Sequence, residues 1–287
     1  MRAFRRVVVG LLVAVVVLGG LVAGLVALYN YNKAPLPVED QCVARVADLS
    51  VSLSTEQARN ASIIAGVATQ RGLAPRAATI GIATAYQESG LVNLDYGDRD
   101  SLGLFQQRPS QGWGSAAQVM DPWYAANAFY AALVEVEGWQ TGDVNDVAQA
   151  VQRSGHPNGY TRHVENARRI ASSLTGETPA SFTCVVRNPP AGDPAGLEEF
   201  LADTLPAEVR ISRFSDRVEI DAGSGRRAWS AAHIAVANTA AYGVARVEVG
   251  GRSWARSTTS LSPWTGEETD ATTTVVWFDT VPSATPS

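Results

Sequence analysis

From Val7 to Leu28 the chain carries only Val, Leu, Ala and Gly. As a helix this run would rise about 33 Å at about 1.5 Å per residue, enough to cross the hydrocarbon core of a bilayer. Arg2, Arg5 and Arg6 precede it, and Tyr29, Asn30 and Tyr31 follow it. A cleaved signal peptide has a shorter apolar stretch, roughly 7–15 residues, ending at small residues. Length and the aromatic flank favour an uncleaved signal anchor over 7–28. The arginines keep residues 1–6 as a cytoplasmic tail. The expectation is a single-pass protein of the cell membrane, N-terminus cytoplasmic, with the bulk of the chain extracytoplasmic.

That placement gives meaning to the two cysteines. Cys42 lies shortly after the apolar run and Cys184 far downstream, so the pair brackets the central region. Outside the cytoplasm a disulfide persists, and one is expected here. The formal net charge is −5 and the pI about 5.3. A nucleic-acid binder would show a basic excess, so that class is excluded. His156, His163 and His233 are scattered, and the cysteines have no metal-ligand spacing, so neither a metal nor another cofactor is expected.

Residues 29–53 read as a polar stalk. Ser54 and Gln57 then form a capping box, and Ala58, Ala61, Ile64, Ala65 and Ala68 follow at helical spacing up to Gly72. A second helix opens near Pro75 and stops at Gly90. A loop fills 90–120. Asp121 and Pro122 start a third helix, and 143–153 and 160–174 supply two more. This block, 54–186, reads as all-α. A linker is expected over 187–196, where the sequence is rich in Pro and Gly. Strands at 209–214, 217–221, 245–251 and 272–279 and a helix over 228–243 then predict a small α/β domain over 197–279. Residues 280–287 read as a disordered tail. The fold class is therefore α+β overall: a transmembrane helix, an all-α domain and a small α/β domain.

Glu88 falls in the last turn of the second helix, after a small and apolar run. The helix dipole prefers a positive charge there, and burial penalises the ionised form. Both favour the protonated carboxyl that a general acid needs. On position alone, a solvated surface glutamate is the commoner outcome. Context shifts the balance. ESG (88–90) is followed by GLFQ (103–106), and AVQRSG (150–155) leads to Tyr160. With these motifs residues 54–175 resemble the lysozyme-like superfamily, specifically soluble lytic transglycosylases. The strings YGDRDSLGLFQQRPSQGWG and MDPWYAANAFY look like an actinobacterial branch of it. One departure stands out: Arg153, Ser154 and Gly155 replace the family's usual Asn-Ala-Gly.

The resemblance implies roles. Glu88 matches the acid/base that protonates the glycosidic oxygen of a peptidoglycan strand, and Ser89 the serine that orients the carboxyl or the sugar. Gly103, Leu104, Phe105 and Gln106 match the loop lining the subsite beside the scissile bond, with a glycine where backbone approaches the glycan. Tyr160 would steady Glu88 or the oxocarbenium-like state, or be an ordinary half-buried aromatic. Most glycosidases need two carboxylates. Asp95, Asp98 and Asp100 are turn formers first; Asp98 or Asp100 is the candidate base of a hydrolytic variant. The family manages with one carboxylate and the substrate's own N-acetyl group, giving a 1,6-anhydro product. Trp113, between two glycines, is the sugar-stacking candidate, while Trp123 reads as core. The segment around His233 resembles a small α/β module found beside cell-wall enzymes, which implies partners among cell-wall proteins. His233 itself reads as structural, with no zinc. The expected activity is cleavage of peptidoglycan glycan strands. The alternative is a non-catalytic glycan-binding scaffold, since fold does not guarantee activity.

Overall fold

A computed structural model of the protein describes residues 16–25, 39–153 and 158–279. The chain divides into two units, Met1–Val38 and Glu39–Ser287. In the first, residues 16–25 form helix α1. No helix among the described residues is long and apolar enough to cross a membrane. The expected transmembrane helix, and with it the single-pass membrane placement, is therefore corrected. The rest of the 7–28 run, the tail over 1–6, the first part of the stalk, His156 and the segment 280–287 lie outside the described residues.

In the second unit the stalk reading gives way to a hairpin. Strands β1 (Gln41–Val46) and β2 (Leu49–Leu53) pair antiparallel, and β3 (Phe182–Val185) joins the other edge of β1. The block expected to be all-α thus carries a three-stranded sheet, ordered β2-β1-β3. Cys42 and Cys184 face each other in the β1/β3 register and are disulfide-bonded, as their bracketing position predicts.

The helices fall where their caps place them. Helix α2 spans Thr55–Gln70, and the Ser54/Gln57 capping box is complete in both directions. Helix α3 spans Pro75–Ser89, with the proline in its first turn. A short α4 (Ala116–Val119) interrupts the long loop, and α5 (Pro122–Val134) is capped by Asp121. Helices α6 (Val144–Gln152) and α7 (Val164–Leu174) complete the bundle around α3.

The expected linker is short, because Asp193 caps a further helix, α8 (Pro194–Thr204). Strands β4 (Arg210–Arg213), β5 (Arg217–Asp221), β6 (Val244–Val249), β7 (Arg252–Ala255), β8 (Thr265–Gly266) and β9 (Thr273–Phe278) build an antiparallel sheet ordered β4-β5-β9-β6-β7-β8. Helices α9 (Gly225–Ala237) and α10 (Thr239–Tyr242) lie between β5 and β6 in the chain. Every residue from Ala228 to Ala237 is buried. An outer-layer helix keeps a polar face, whereas one apolar all round is enclosed. Helix α9 is enclosed because it packs on β6 and β9 on one side and on α2, α7 and β3 on the other.

The two expected domains consequently share one core. Gly66 of α2 meets α8 so closely that a Cβ would lie 2.1 Å from Thr204 Cγ2. Arg59 of α2 donates to Asn238 Oδ1 at 2.9 Å and lies over the Phe200 and Tyr242 rings. Buried polar side chains cross this seam: Ser230 donates to Leu174 O at 2.7 Å, and Asn238 to Ser62 Oγ at 3.1 Å. His233 is fully buried, and its Nδ1 meets Ser173 O at 2.7 Å. That makes it the structural residue its sequence context predicts.

Candidate active site

Helix α3 is buried on every side from Ala77 to Ala85, and its last turn emerges, half-buried. Glu88 sits in that turn. Gly90 ends the helix at φ 66°, and Leu91, fully buried, follows at φ 62°. A non-glycine residue held there costs about 1–3 kcal/mol and persists only when its surroundings enforce it. The enforcing groups come from α2. Gln57 Nε2 donates to Gly90 O and Asn60 Nδ2 to Leu91 O, both at 2.8 Å. Gln57 also accepts from the Ser54 backbone N–H at 2.9 Å. One side chain thus closes the start of α2 and the end of α3, which fixes the base on which Glu88 stands.

Tyr160 reaches this carboxyl. Its Oη donates to Glu88 Oε1 at 2.5 Å, and the ring is fully buried. The Tyr160 backbone N–H donates to Asn145 Oδ1 at 3.2 Å. Asn145 lies in the first turn of α6, which Asp143 caps. The phenol therefore hangs from a fixed backbone, and its hydrogen bond orients the carboxyl.

Ser89 acts on the loop. Its Oγ lies 2.7 Å from Leu104 O and 3.0 Å from Ala85 O, so it tethers the GLFQ turn to the end of α3. Leu104 and Phe105 are fully buried, and Phe105 stacks on Phe129 at 4.7 Å between centroids. Their side chains fill the core instead of lining a subsite. Their carbonyls are engaged as well: Gln152 Nε2 donates to Phe105 O at 2.7 Å. Gly103 has φ 78°, and a Cβ there would lie 2.3 Å from Val119 O. Close approach to the α4 backbone accounts for this glycine, whereas the sequence reading gave that role to a glycan. Gln106 is half-buried, and its Nε2 donates to Gly103 O at 3.2 Å and Tyr96 O at 3.3 Å.

The aspartates of the loop divide. Asp95 and Asp98 are exposed. Asp100 accepts from Arg108 Nε at 2.8 Å, from the Ser110 N–H at 2.7 Å and from Ser110 Oγ at 2.9 Å. The Arg108 guanidinium, helped by Ser110, holds this carboxyl far below the usual carboxylate range. Both of its oxygens are committed to closing the loop, which is the work of a turn former.

Trp113 is half-buried beside a pocket of about 500 Å³, which Gln111, Val151, Gln152 and Arg153 also line. Gln152 joins this pocket to the GLFQ loop through Phe105 O. Trp123 packs edge-on against Phe200 and donates to Thr204 Oγ1 at 3.2 Å, so it belongs to the α5/α8 seam.

Sequence reasoning overlooked a cluster beside Glu88. Tyr86 stacks flat on His163 at 5.3 Å, and Arg162 donates to Gln87 Oε1 at 3.0 Å and to His163 Nε2 at 3.0 Å. Burial, and secondarily Arg162, lower the His163 pKa; burial raises that of Tyr86. The available signal was position: Arg162 and His163 lie two and three residues after Tyr160. Among the described residues no group of His, Cys, Asp or Glu is arranged to hold a metal. No family model matches this chain, and no curated protein matches it.

Proposed function

We propose that the protein cleaves the glycan strands of peptidoglycan as a lytic transglycosylase, with Glu88 as the proton-transfer group. The observation that carries the reading is the 2.5 Å hydrogen bond from Tyr160 Oη to Glu88 Oε1. The bond ties a helix-end glutamate to a buried tyrosine from another part of the chain, which fixes the orientation of its carboxyl. A general acid needs a fixed orientation, because its proton must point at the leaving group.

In this reading the glycosidic oxygen takes the proton from the Glu88 carboxyl as the C1–O bond breaks. The cation-like sugar is supported by its own N-acetyl oxygen. The Glu88 carboxylate then accepts the proton of the sugar's own C6 hydroxyl as that oxygen bonds C1, which closes the 1,6-anhydro ring and restores the carboxyl. Tyr160 stays bonded to Oε1 throughout and holds the carboxyl in place for both transfers. The exposed Asp98 and the committed Asp100 leave the single-carboxylate route the better fit. The seating of the glycan beside Trp113 and Gln106 belongs to the same proposal.

The test is digestion of purified peptidoglycan, with mass spectrometry of the released muropeptides. Anhydro products from the wild type, lost in Glu88→Gln, support the reading. Reducing-end products would move the chemistry to a hydrolase with water as nucleophile. Binding without cleavage would make the protein a glycan-binding scaffold, a reading that the inward-facing Leu104 and Phe105 favour.

A further inference from the structure

A second pocket, of about 360 Å³, lies where the two sheets meet, away from Glu88. Arg45 of β1 and Arg252 of β7 contribute its charge, Ser262 a hydroxyl, and Leu261, Pro263 and Trp264 an apolar wall. None of its lining residues is acidic. Neither arginine side chain has a hydrogen-bond or ion-pair partner among the described residues. Arg252 Nε is moreover withdrawn from solvent. Most other arginines of this unit are committed: Arg108, Arg213, Arg217, Arg226, Arg227 and Arg256 each hold a carboxylate. A buried donor without an acceptor is unusual in a folded protein.

The wall is fixed in advance. Trp264 Nε1 donates to Phe182 O at 2.8 Å, which sets the plane of its ring. Thr183 Oγ1 donates to Ser262 O at 2.6 Å and accepts from Trp254 Nε1 at 2.9 Å, which pins the 261–264 segment against β3. The disulfide one residue beyond Thr183 locks β3 to the strand that carries Arg45. Two guanidiniums without counterions, against a rigid indole and two apolar side chains, make a receptor for an anion with an apolar body. Guanidinium forks match the two oxygens of a carboxylate.

We propose that this pocket binds a small organic carboxylate, its head between Arg45 and Arg252 and its apolar body on Trp264. The assignment is independent of the role given to Glu88. Calorimetric titration of the full-length, oxidised protein with phenylacetate tests it, using phenylacetamide and inorganic phosphate as controls. The expected result is saturable binding of phenylacetate, with the uncharged amide at least about tenfold weaker because it forfeits the charge-assisted bonds. Phosphate, lacking the apolar body, binds more weakly. Arg252→Gln weakens phenylacetate by about tenfold, and Arg45→Gln, at an exposed position, by about threefold or more. Should Arg252→Gln fail to fold, Arg45→Gln carries the test. The proposal is overturned by absence of saturable binding, by equal affinity for acid and amide, by phosphate binding as tightly as phenylacetate, or by an unchanged affinity in Arg45→Gln.

Discussion

Tyr160 and Glu88, 72 residues apart in the chain, meet through a 2.5 Å hydrogen bond in which the phenol donates to the carboxyl. The tyrosine is buried and the glutamate half-buried, so the bond anchors the carboxyl from the inner side. Removing the hydroxyl separates positioning from chemistry. Tyr160→Phe should lower stability by about 0.5–1.5 kcal/mol, the range for a typical hydrogen bond. Urea unfolding reads this as a lower midpoint at unchanged slope. Glycan cleavage should slow in the same variant with little change in KM. An unaltered rate would remove Tyr160 from the site.

Glu88→Gln keeps an acceptor for Tyr160 but cannot transfer a proton. Cleavage should fall by at least about 100-fold, the lower bound for losing a general acid–base group. Asp98→Asn and Asp100→Asn should each retain activity to within roughly an order of magnitude, since neither is assigned a proton. A loss in either aspartate variant equal to that of Glu88→Gln would instead point to a two-carboxylate mechanism.

Gly103→Ala meets two obstacles, a left-handed φ of 78° and the Val119 carbonyl 2.3 Å from the new Cβ. Strain and overpacking together should cost at least about 2 kcal/mol, measured by chemical denaturation. Because Leu104 O is tied to Ser89, displacement of this turn also reaches the last turn of α3, and activity should fall with stability. A variant of wild-type stability would show that the turn has room to relax.

Local signals were read correctly from the sequence, and tertiary ones were not. The Ser54/Gln57 box, Pro75, Gly90 and the Asp121-Pro122 start all act within a few residues, and each helix lies where they put it. Asp193-Pro194 is the same start signal, yet it sits among prolines and glycines that read as linker, so α8 was passed over. Strand β1 buries three residues in a row, Cys42, Val43 and Ala44, because the alternation of a half-exposed strand is lost between β2 and β3. Tyr160 lies against Glu88, a contact that the sequence left even with the reading of an ordinary half-buried aromatic. Which way the loop side chains face was not legible: Leu104 and Phe105 turn inward to meet Phe129, a partner that no local pattern names.

The Cys42–Cys184 bond joins strands at the two ends of the helical block, 142 residues apart. By chain entropy a loop of that length stabilises the fold by about 5 kcal/mol, and removal of native disulfides costs about 2–5 kcal/mol. Cys42→Ala with Cys184→Ala should shift the guanidinium midpoint accordingly, and reductant should shift the wild type but not the variant. The bond also fits an oxidising compartment.

His233 makes stability depend on acid. Burial pushes its pKa down to about 4, against the opposing bond to Ser173 O. In the unfolded chain the ring titrates near 6.5, about its ordinary value. Between those two values the unfolded state takes up a proton that the folded state refuses, so stability rises with pH. The contribution is complete above about pH 6.5 and is lost as pH falls toward 4, on the order of 3 kcal/mol in all. His163, also lowered by burial, adds in the same direction. Unfolding free energies measured from pH 4 to 8 should show this slope. In His233→Gln the slope should shrink to the His163 part, even if the variant is less stable throughout. An undiminished slope in that variant would mean that His233 is not the group refusing the proton.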